Sequence, residues 1–348
     1  MLRVALFGAG RIGQVHARSA ALHDEARLAW VIDPVLPAAE ALADRYGASA
    51  GTVVDDALAD PDVDAVVIAS PTPTHIDLLR RAVIAGKPVL CEKPIDLDLP
   101  KIDRCWAEIA AYQPTVMMGF NRRFDPTFRQ IRQRIEQGEI GTLRALRITS
   151  RDPEPPPRSY LDASGGIFRD MTIHDFDIAR YFLGDMAEVY AVVADDGHSE
   201  MAAAGDAHQA MVLLRSRQGA LCSITNSRTC VFGYDQRIEA FGDDGMLEAA
   251  NQTPVSVRAY TSAASESAVT YQHFFVERYR EAYLAEFSEF VRTVREGLRP
   301  APGFADGRAA LALAEAAVES AATGRTVAVP GDETTSAAGG DITKGALT

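Results

Sequence analysis

The feature that most limits the fold of this chain is a glycine-rich turn directly after its first apolar segment. Residues 3–7 read RVALF, a short buried strand, and Gly8-Ala9-Gly10-Arg11-Ile12-Gly13 follows before a helical segment that runs through His16. In this GxGxxG spacing, the first glycine permits a tight turn, the second lets a pyrophosphate approach the backbone, and the third lets the helix pack on the strand. The helix N-terminus then offers free N–H groups to the phosphates. The pattern predicts a dinucleotide-binding unit that uses Gly8, Gly10, Arg11, Ile12 and Gly13.

An acidic residue ends the second predicted strand. Residues 27–32 read RLAWVI, and Asp33 follows, twenty residues beyond Gly13. An acid at this position accepts hydrogen bonds from the adenosine ribose hydroxyls and repels a 2′-phosphate. Pro34 and Val35 supply no cation for such a phosphate. The sequence therefore predicts NAD rather than NADP as the cofactor, with a strand-end turn as the alternative role of Asp33.

Strands and helices alternate through the first 120 residues. Predicted strands lie at residues 65–69, 89–91 and 115–118, with a short one near 53–54, and predicted helices at 37–46, 75–85 and 102–112. Such apolar strands fit a parallel sheet covered on both faces, and doubly wound sheets bind ligands at the carboxyl ends of their strands. Two groups of residues at such ends are predicted to contact the cofactor: Ser70, Thr72 and His75, and Glu92 and Lys93.

Lys93 is the most informative of these residues. It follows a predicted strand on the cofactor side, in a loop restrained by Pro94. Beside a cationic nicotinamide and a partly buried wall, the pKa of a lysine falls toward the range useful for acid–base chemistry. A surface lysine in a turn is the alternative.

A second candidate site lies in residues 164–180, SGGIFRDMTIHDFDIAR. Its apolar periodicity predicts a helix, in which Asp170, His174 and Asp177 share one face at spacings i, i+4 and i+7. A carboxylate one turn from an imidazole can orient the ring and stabilise the imidazolium, as acid–base catalysis requires. We therefore expect Asp170 to orient His174, and oxidation to rise with pH as His174 loses its proton. A solvated polar face is the alternative.

The second half of the chain is rich in strands separated by turn residues. Predicted strands lie at 143–150, 187–193, 207–214, 219–225, 236–242, 245–249, 255–259 and 267–272, and further helices at 126–137, 276–296 and 305–323. This pattern predicts an α/β domain with an open, mainly antiparallel sheet and helices on one side. The uncovered face favours a homo-oligomer, with a tetramer preferred. The predicted divisions are 1–120, 121–330 and a loose tail at 331–348.

Composition excludes several classes of partner. The 348 residues carry a net charge of −13, which argues against nucleic-acid and anionic-membrane partners because both require a basic surface. The four cysteines form no CxxC pair and are interpreted as reduced thiols. The first strand begins too early for a signal peptide, and no apolar run is long enough to cross a bilayer. These features predict a cytoplasmic protein.

Taken together, the motifs resemble those of the Gfo/Idh/MocA oxidoreductase family. The matching pieces are the GAGRIG turn with His16, Asp33, Ser70-Pro71-Thr72 with His75, Glu92-Lys93-Pro94 and the run GGIFRDMTIHDFD at 165–177. The last run looks like the form in the family's inositol dehydrogenase subgroup. The resemblance covers nearly the whole chain before the tail. It implies an N-terminal doubly wound Rossmann domain that binds NAD, no metal, and Lys93, Asp170 and His174 as the catalytic residues.

The resemblance also implies a small polyol as the substrate. It favours oxidation of a cyclitol hydroxyl, myo-inositol to 2-keto-myo-inositol (scyllo-inosose), within inositol catabolism. Asn121, Arg122, Asp152 and Tyr234 are predicted to line the substrate pocket beside the catalytic residues, with packing as the alternative for the last three. Asn121 is more polar than expected for the subgroup, so scyllo-inositol, an aldose or another pyranose stays open. An NAD-using glycoside hydrolase and a non-catalytic NAD sensor are further alternatives.

Overall fold

A computed structural model describes residues 1–194 and 200–330, so the predicted tail at 331–348 lies outside the described residues. The first sheet has six parallel strands: β1 (Leu2–Phe7), β2 (Ala26–Ile32), β3 (Ser49–Gly51), β4 (Ala65–Ile68), β5 (Val89–Glu92) and β6 (Val116–Gly119). Their order is β3-β2-β1-β4-β5-β6, the order of a doubly wound Rossmann sheet. This half of the predicted fold class is confirmed, although β3 lies a few residues before the predicted position.

Five helices connect these strands: α1 (Arg11–Ala21), α2 (Leu36–Tyr46), α3 (Val54–Ala59), α4 (His75–Ile84) and α5 (Leu99–Ile109). Local sequence explains where they begin and end. Asp98 caps α5 by accepting a hydrogen bond from the N–H of Lys101, and α2 ends at Gly47 with a φ of 67°. The strands between them are buried on both faces, as their continuous apolar runs predict.

The second sheet contains seven strands: β7 (Leu143–Arg151), β8 (Met186–Ala194), β9 (Gln209–Ser216), β10 (Leu221–Ser227), β11 (Asp235–Gly242), β12 (Met246–Ala249) and β15 (Val327–Ala328). Their order is β12-β11-β7-β10-β9-β8-β15, and β7 with β10 is the one parallel pair. The predicted mainly antiparallel sheet is thus confirmed. The strands expected at 255–259 and 267–272 shrink to a two-residue hairpin of β13 (Arg258–Ala259) and β14 (Ser267–Ala268).

The described part of this half contains seven helices: α6 (Pro126–Glu136), α7 (Arg158–Ser164), α8 (Ile173–Leu183), α9 (Glu200–Ala203), α10 (Phe275–Arg278), α11 (Arg280–Glu296) and α12 (Phe304–Thr323). The sequence did not predict α7, because the prolines before it indicate only an extended loop. A turn of π-helix, Phe168–Thr172, precedes α8, which ends at Gly184 as predicted. No helix within the described ranges is both long and apolar enough to span a bilayer.

One face of the second sheet is left uncovered by the residues that the structure describes. Helices α8 and α12 pack on the opposite face. The strand register places apolar side chains side by side on the uncovered face, for example Tyr190 next to Leu213 and Val192 next to Met211. We call this surface the open face, and its large apolar residues are between 36% and 59% exposed: Tyr190, Val192, Met211, Leu213, Leu221, Phe241 and Met246.

Helix α11 belongs to the core of the first sheet, although it lies far along the chain. Its buried Phe287, Phe290 and Val291 join the cluster that includes Leu6 of β1 and Val31 of β2. The apolar spacing of these three residues predicts one buried stripe on the helix. The core of the nucleotide-binding half is therefore completed by side chains from the C-terminal half.

Candidate active site at the carboxyl edge of the parallel sheet

The glycine turn has the geometry that a dinucleotide requires. Gly8 has a φ of +106°, and a Cβ there would lie 2.6 Å from the carbonyl oxygen of Ala69. A Cβ on Gly13 would lie 2.0 Å from the carbonyl oxygen of Gly8, whereas a Cβ on Gly10 would meet nothing within 4 Å. Helix α1 starts at Arg11 without a side-chain cap, so its first-turn N–H groups are available to a phosphate.

Asp33 lies against this turn at the end of β2. Its Oδ2 accepts the N–H of Ala9 at 2.8 Å, and its Oδ1 accepts the N–H of Val35 at 2.9 Å. The turn role that the sequence left open is therefore present. It also fixes the carboxylate beside the glycine turn, where the predicted ribose contact requires it.

His75 clamps two loops together at the next strand ends. It is buried, with Nδ1 2.7 Å from the carbonyl oxygen of Pro94 and Nε2 2.8 Å from that of Ser70. Burial lowers the pKa of the His75 ring, although the two carbonyl oxygens oppose the shift. The structure thus gives His75 a loop-holding role, and its contact with the cofactor stays a prediction. Contact of Ser70 and Thr72 with NAD stays a prediction.

Lys93 and Asp170 meet across the two halves of the chain. The Nζ of Lys93 donates to the main-chain oxygen of Asp170 at 2.9 Å and lies 3.4 Å from its Oδ1. Tyr160 donates its hydroxyl to the same Oδ1 at 2.7 Å, and Arg228 donates to Oδ2 at 2.8 Å. Burial alone would raise the pKa of Asp170, but the charges of Lys93 and Arg228 outweigh it and lower the pKa.

Arg228 is a site residue that the sequence analysis missed. Its side chain is 1% exposed, and it bridges Asp170 to Asp206, to which it donates at 2.9 Å. Asp206 in turn accepts the main-chain N–H of Ile167 at 2.7 Å. A lone arginine just after a strand has no motif spacing, so the sequence offers no signal for it. In the structure, Arg228 holds the carboxylate of Asp170 in place.

His174 occupies the same pocket but does not bond to Asp170. Its Nδ1 is buried and has no partner among the residues that the structure describes, and its ring packs edge-on against Phe120 with centroids 6.2 Å apart. Within the described residues, the expected hydrogen bond between Asp170 and His174 is absent. Burial lowers the pKa of His174 well below its ordinary value, and the nearby charges of Lys93 and Arg122 lower it further. The ring of His174 is therefore neutral at pH 7. Asp177, the third polar residue of the predicted face, pairs with Arg123 at 2.7 Å.

Arg122 lies in the short helical turn Asn121–Phe124, and a network of buried hydrogen bonds holds its side chain. Arg122 donates to Asp175 at 2.5 Å and to the hydroxyl of Ser150 at 2.8 Å. It also lies 3.5 Å from the hydroxyl of Tyr234, whose pKa burial raises well above its ordinary value. The predicted pocket residues Arg122 and Tyr234 are thus neighbours in space. Asn121, which precedes Arg122 in the chain, is also buried.

Asp152 is an acid of this site whose pKa lies close to neutral pH. Burial raises the pKa of Asp152 to about 6, and the charge of Asp170 raises it as well. The charges of Arg228, Arg122 and Lys93 act in the opposite direction. Asp152 therefore lies among the predicted catalytic and substrate-binding groups and changes charge close to neutral pH.

Comparison with known proteins identifies the family of this chain. A model described as oxidoreductase family, NAD-binding Rossmann fold, matches residues 2–120, and a GFO/IDH/MocA C-terminal domain model matches residues 128–248. The inositol 2-dehydrogenase of Rhizobium meliloti (strain 1021) is 45% identical over 332 residues, which are 94% of this chain and 99% of that protein. The chain belongs to the Gfo/Idh/MocA oxidoreductase family.

Solved structures of other family members extend the comparison. A myo-inositol dehydrogenase from Corynebacterium glutamicum ATCC 13032 has a TM-score of 0.93 at 49% identity, covering 95% of this chain and 99% of that one. The scyllo-inositol dehydrogenase from Lactobacillus casei with bound NAD(H) and scyllo-inositol has a TM-score of 0.86 at 27% identity, covering 94% and 99%. This Gfo/Idh/MocA member is an NAD-dependent dehydrogenase, and its open glycine turn fits the dinucleotide.

For this oxidoreductase we expect kcat/KM to be higher with NAD than with NADP, because Asp33 repels a 2′-phosphate. Changing Asp33→Ala together with Pro34→Arg removes the repulsion and adds a cation, so the preference should fall by roughly tenfold or more. Steady-state kinetics with both cofactors measure it. Pro34→Arg alone keeps the acid and is the matched control. Equal kcat/KM values in the unmodified enzyme would contradict the role of Asp33.

Proposed function

We propose that this enzyme oxidises a cyclitol hydroxyl, with myo-inositol converted to 2-keto-myo-inositol as the leading reaction. The observation that carries the proposal is the meeting of Lys93 and Asp170 beside a neutral His174 at the carboxyl edge of the parallel sheet. The inositol dehydrogenases among its relatives support a cyclitol substrate. Participation in inositol catabolism follows from the same proposal.

The side chains suggest how the proton of the substrate hydroxyl is removed. NAD, when bound, supplies the hydride acceptor. His174 takes the hydroxyl proton at Nε2, because its Nδ1 is buried and its low pKa leaves the ring unprotonated at pH 7. Lys93 donates a hydrogen bond from Nζ to the substrate oxygen. Asp170, which Arg228 holds, keeps Lys93 in position. The absence of a metal from the mechanism stays a prediction.

The pocket residues supply the polar contacts that a polyol requires. We assign hydroxyl recognition to Asp152, Arg122, Tyr234 and Asn121, since a ring of hydroxyl groups both donates and accepts hydrogen bonds. Within the proposal, residues 1–120 bind the dinucleotide, and residues 121–330 bind the substrate and mediate assembly.

A panel of polyols with NAD, followed at the absorbance of NADH, tests the proposal. We expect the highest kcat/KM with myo-inositol. Turnover restricted to scyllo-inositol or an aldose would replace the substrate but keep the chemistry. Hydrolysis of a glycoside without net NADH would favour the glycoside hydrolase alternative, and NAD binding without any turnover would favour the sensor.

The raised pKa of Asp152 gives a prediction for pH. The ionised carboxylate accepts hydrogen bonds from substrate hydroxyls, so kcat/KM for the polyol should rise with pH around pH 6, where Asp152 loses its proton. In Asp152→Asn this rise should disappear and KM should increase. The pH profile of kcat/KM measures both effects. Asp162→Asn, a change in an exposed acid of α7, is the control, and an unchanged profile in Asp152→Asn would contradict the assignment.

The open face supports assembly with further copies of the chain, and we propose a closed homotetramer. A contiguous apolar surface of this kind on a sheet is typical of protein interfaces, and closed symmetric oligomers bury such faces against themselves. We also propose a cytoplasmic location, which the four buried free thiols support. A nucleic-acid or membrane partner is not expected at a net charge of −13.

Leu213→Asp should dissociate this oligomer, because it places a charge in the middle of the open face, beside Tyr190. Light scattering at micromolar concentration should then give the mass of a monomer or dimer. The control is Ile84→Asp, which changes another exposed apolar residue at the end of α4. A mutant that keeps the mass of the unmodified protein, or an unmodified protein that is a strict monomer, would overturn the interface.

A further inference from the structure

A cluster of buried polar groups behind the site lies outside the mechanism described above. His16 of α1, Glu92 of β5 and Glu286 of α11 are 1%, 7% and 0% exposed. One ring nitrogen of His16 and one carboxyl oxygen of each glutamate lie within 4.8 Å of one another. These three side chains, here called the buried triad, come from three separate elements of the fold.

Two members of the buried triad form a chain of hydrogen bonds that ends at Lys93. The Nε2 of His16 lies 2.8 Å from Oε1 of Glu92, and Oε2 of Glu92 accepts the main-chain N–H of Lys93 at 3.3 Å. Gly119 makes room for this arrangement, because a Cβ there would lie 3.0 Å from the carboxyl group of Glu92. The helix that binds the cofactor is thereby connected to the backbone of Lys93.

The atoms left over in the buried triad are complementary. If His16 donates from Nε2 to the carboxylate of Glu92, its Nδ1 is an acceptor, and Nδ1 is buried without a partner. Both carboxyl oxygens of Glu286 are likewise buried without a partner within the described residues. A protonated Glu286 would supply the donor that Nδ1 lacks.

The surroundings of Glu286 favour the protonated acid. Among the described residues, the charges that act on Glu286 come from two acids, Glu92 of β5 and Asp177 of α8, and Asp177 is already paired with Arg123. The other titratable groups beside Glu286 are His16 and Tyr283. Burial and these two acids raise the pKa of Glu286 well above its ordinary value. A buried carboxylate without a cation is unfavourable, because the charged form loses its hydration without gaining a partner.

We propose that Glu286 is a positioning residue that keeps its proton and donates a hydrogen bond toward Nδ1 of His16 across one buried water. This hydrogen bond fixes the tautomer of His16, which holds the carboxylate of Glu92 and, through it, the main-chain N–H of Lys93. The dinucleotide-binding helix and the loop of Lys93 are thus locked together by one proton. The proposal rests on the proposed function only in treating Lys93 as catalytic.

Glu286→Gln and Glu286→Leu separate this role from packing. Glutamine keeps the volume and a donor, so Glu286→Gln should retain kcat within about twofold and the same pH profile. Leucine keeps the volume without a donor, so Glu286→Leu should lose about tenfold or more in kcat, because small displacements of catalytic groups have large effects. Glu289→Gln and Glu289→Leu, at a half-exposed position of the same helix, are the matched controls.

Measurements on the unmodified protein keep the test independent of activity and of variant folding. With glutamate labelled at the side-chain carboxyl, the carbon-13 NMR spectrum should contain one carboxyl resonance that keeps the chemical shift of the protonated acid between about pH 5 and 8. Nitrogen-15 NMR should place the proton of His16 on Nε2. The proposal is overturned if every glutamate is ionised in this range, if Glu286→Gln is as impaired as Glu286→Leu, or if elemental analysis finds a stoichiometric divalent cation that Glu286→Gln removes.

Discussion

His174→Ala is expected to lower kcat for polyol oxidation by roughly 10²–10⁴-fold, the usual contribution of a general base. The effect follows from the burial of the ring, which lowers its pKa and keeps it unprotonated at pH 7. The affinity for NAD should change little, because His174 lies on α8 and away from the glycine turn. Steady-state kinetics and NAD titration measure the two effects separately.

The pH profile makes the test of His174 sharper. The sequence alone assigns the rise of oxidation with pH to His174, but its pKa lies well below the ordinary value, so deprotonation near pH 6 belongs to Asp152. His174→Ala should therefore lower kcat and still preserve the rise near pH 6. His23→Ala, in the loop after α1, is the control. A His174→Ala enzyme with near-normal kcat would leave Lys93 as the base.

Lys93→Met should also lower kcat by roughly 10²–10⁴-fold. Methionine preserves the unbranched stem but removes the donor that reaches the main-chain oxygen and carboxylate of Asp170. Arg228 and Tyr160 still hold Asp170, so the fold should persist, which thermal melting checks. Lys101→Met changes an exposed lysine nearby and should have no effect on kcat.

A double mutant relates the two residues. If Lys93 and His174 act on one proton path, Lys93→Met combined with His174→Ala should be little worse than the poorer single mutant, because residues that act as a unit are not additive. Fully additive losses would mean that the two side chains act independently. That result would contradict the shared proton path, but it would not change the interpretation of the two single mutants.

Much of the fold could be predicted because its signals are local. The glycine turn, Asp33 and the continuous apolar strands specify the order of a doubly wound sheet, and Gly184 ends α8 where the sequence places its end. The two-residue hairpin of β13 and β14 was predicted to be longer. The residues of β13 and β14 are exposed. The strand pattern of the sequence therefore has no buried face there to stabilise longer strands.

The geometry between Asp170 and His174 could not be predicted from spacing. The expectation of one shared face assumes 3.6 residues per turn, but Asp170 lies in the π-helical turn Phe168–Thr172 and His174 in the α-helix after it. A wider turn changes the direction of the side chains on its two sides. The carboxylate of Asp170 consequently faces Lys93, Tyr160 and Arg228.

Contacts between distant segments account for the other omissions. Arg228 follows a strand and pairs with Asp170 and Asp206, which are 58 and 22 residues away in the sequence. Glu286 lies in a long helix and meets His16 and Glu92 of the first half of the chain only in the folded protein. An isolated charge in such a pattern predicts exposure. Burial without a cation distinguishes Glu286, and that is a property of the folded chain.

The placement of α11 has a consequence for synthesis on the ribosome. Phe287, Phe290 and Val291 complete the apolar cluster on one face of the parallel sheet, yet they are translated long after its six strands. Chains emerge N-terminal end first, and exposed apolar surface in a nascent chain promotes aggregation. The apolar cluster of this sheet therefore stays incomplete, with the site of α11 exposed, until α11 leaves the exit tunnel. Through that interval the nascent chain presents an apolar groove of the kind that a holding chaperone binds.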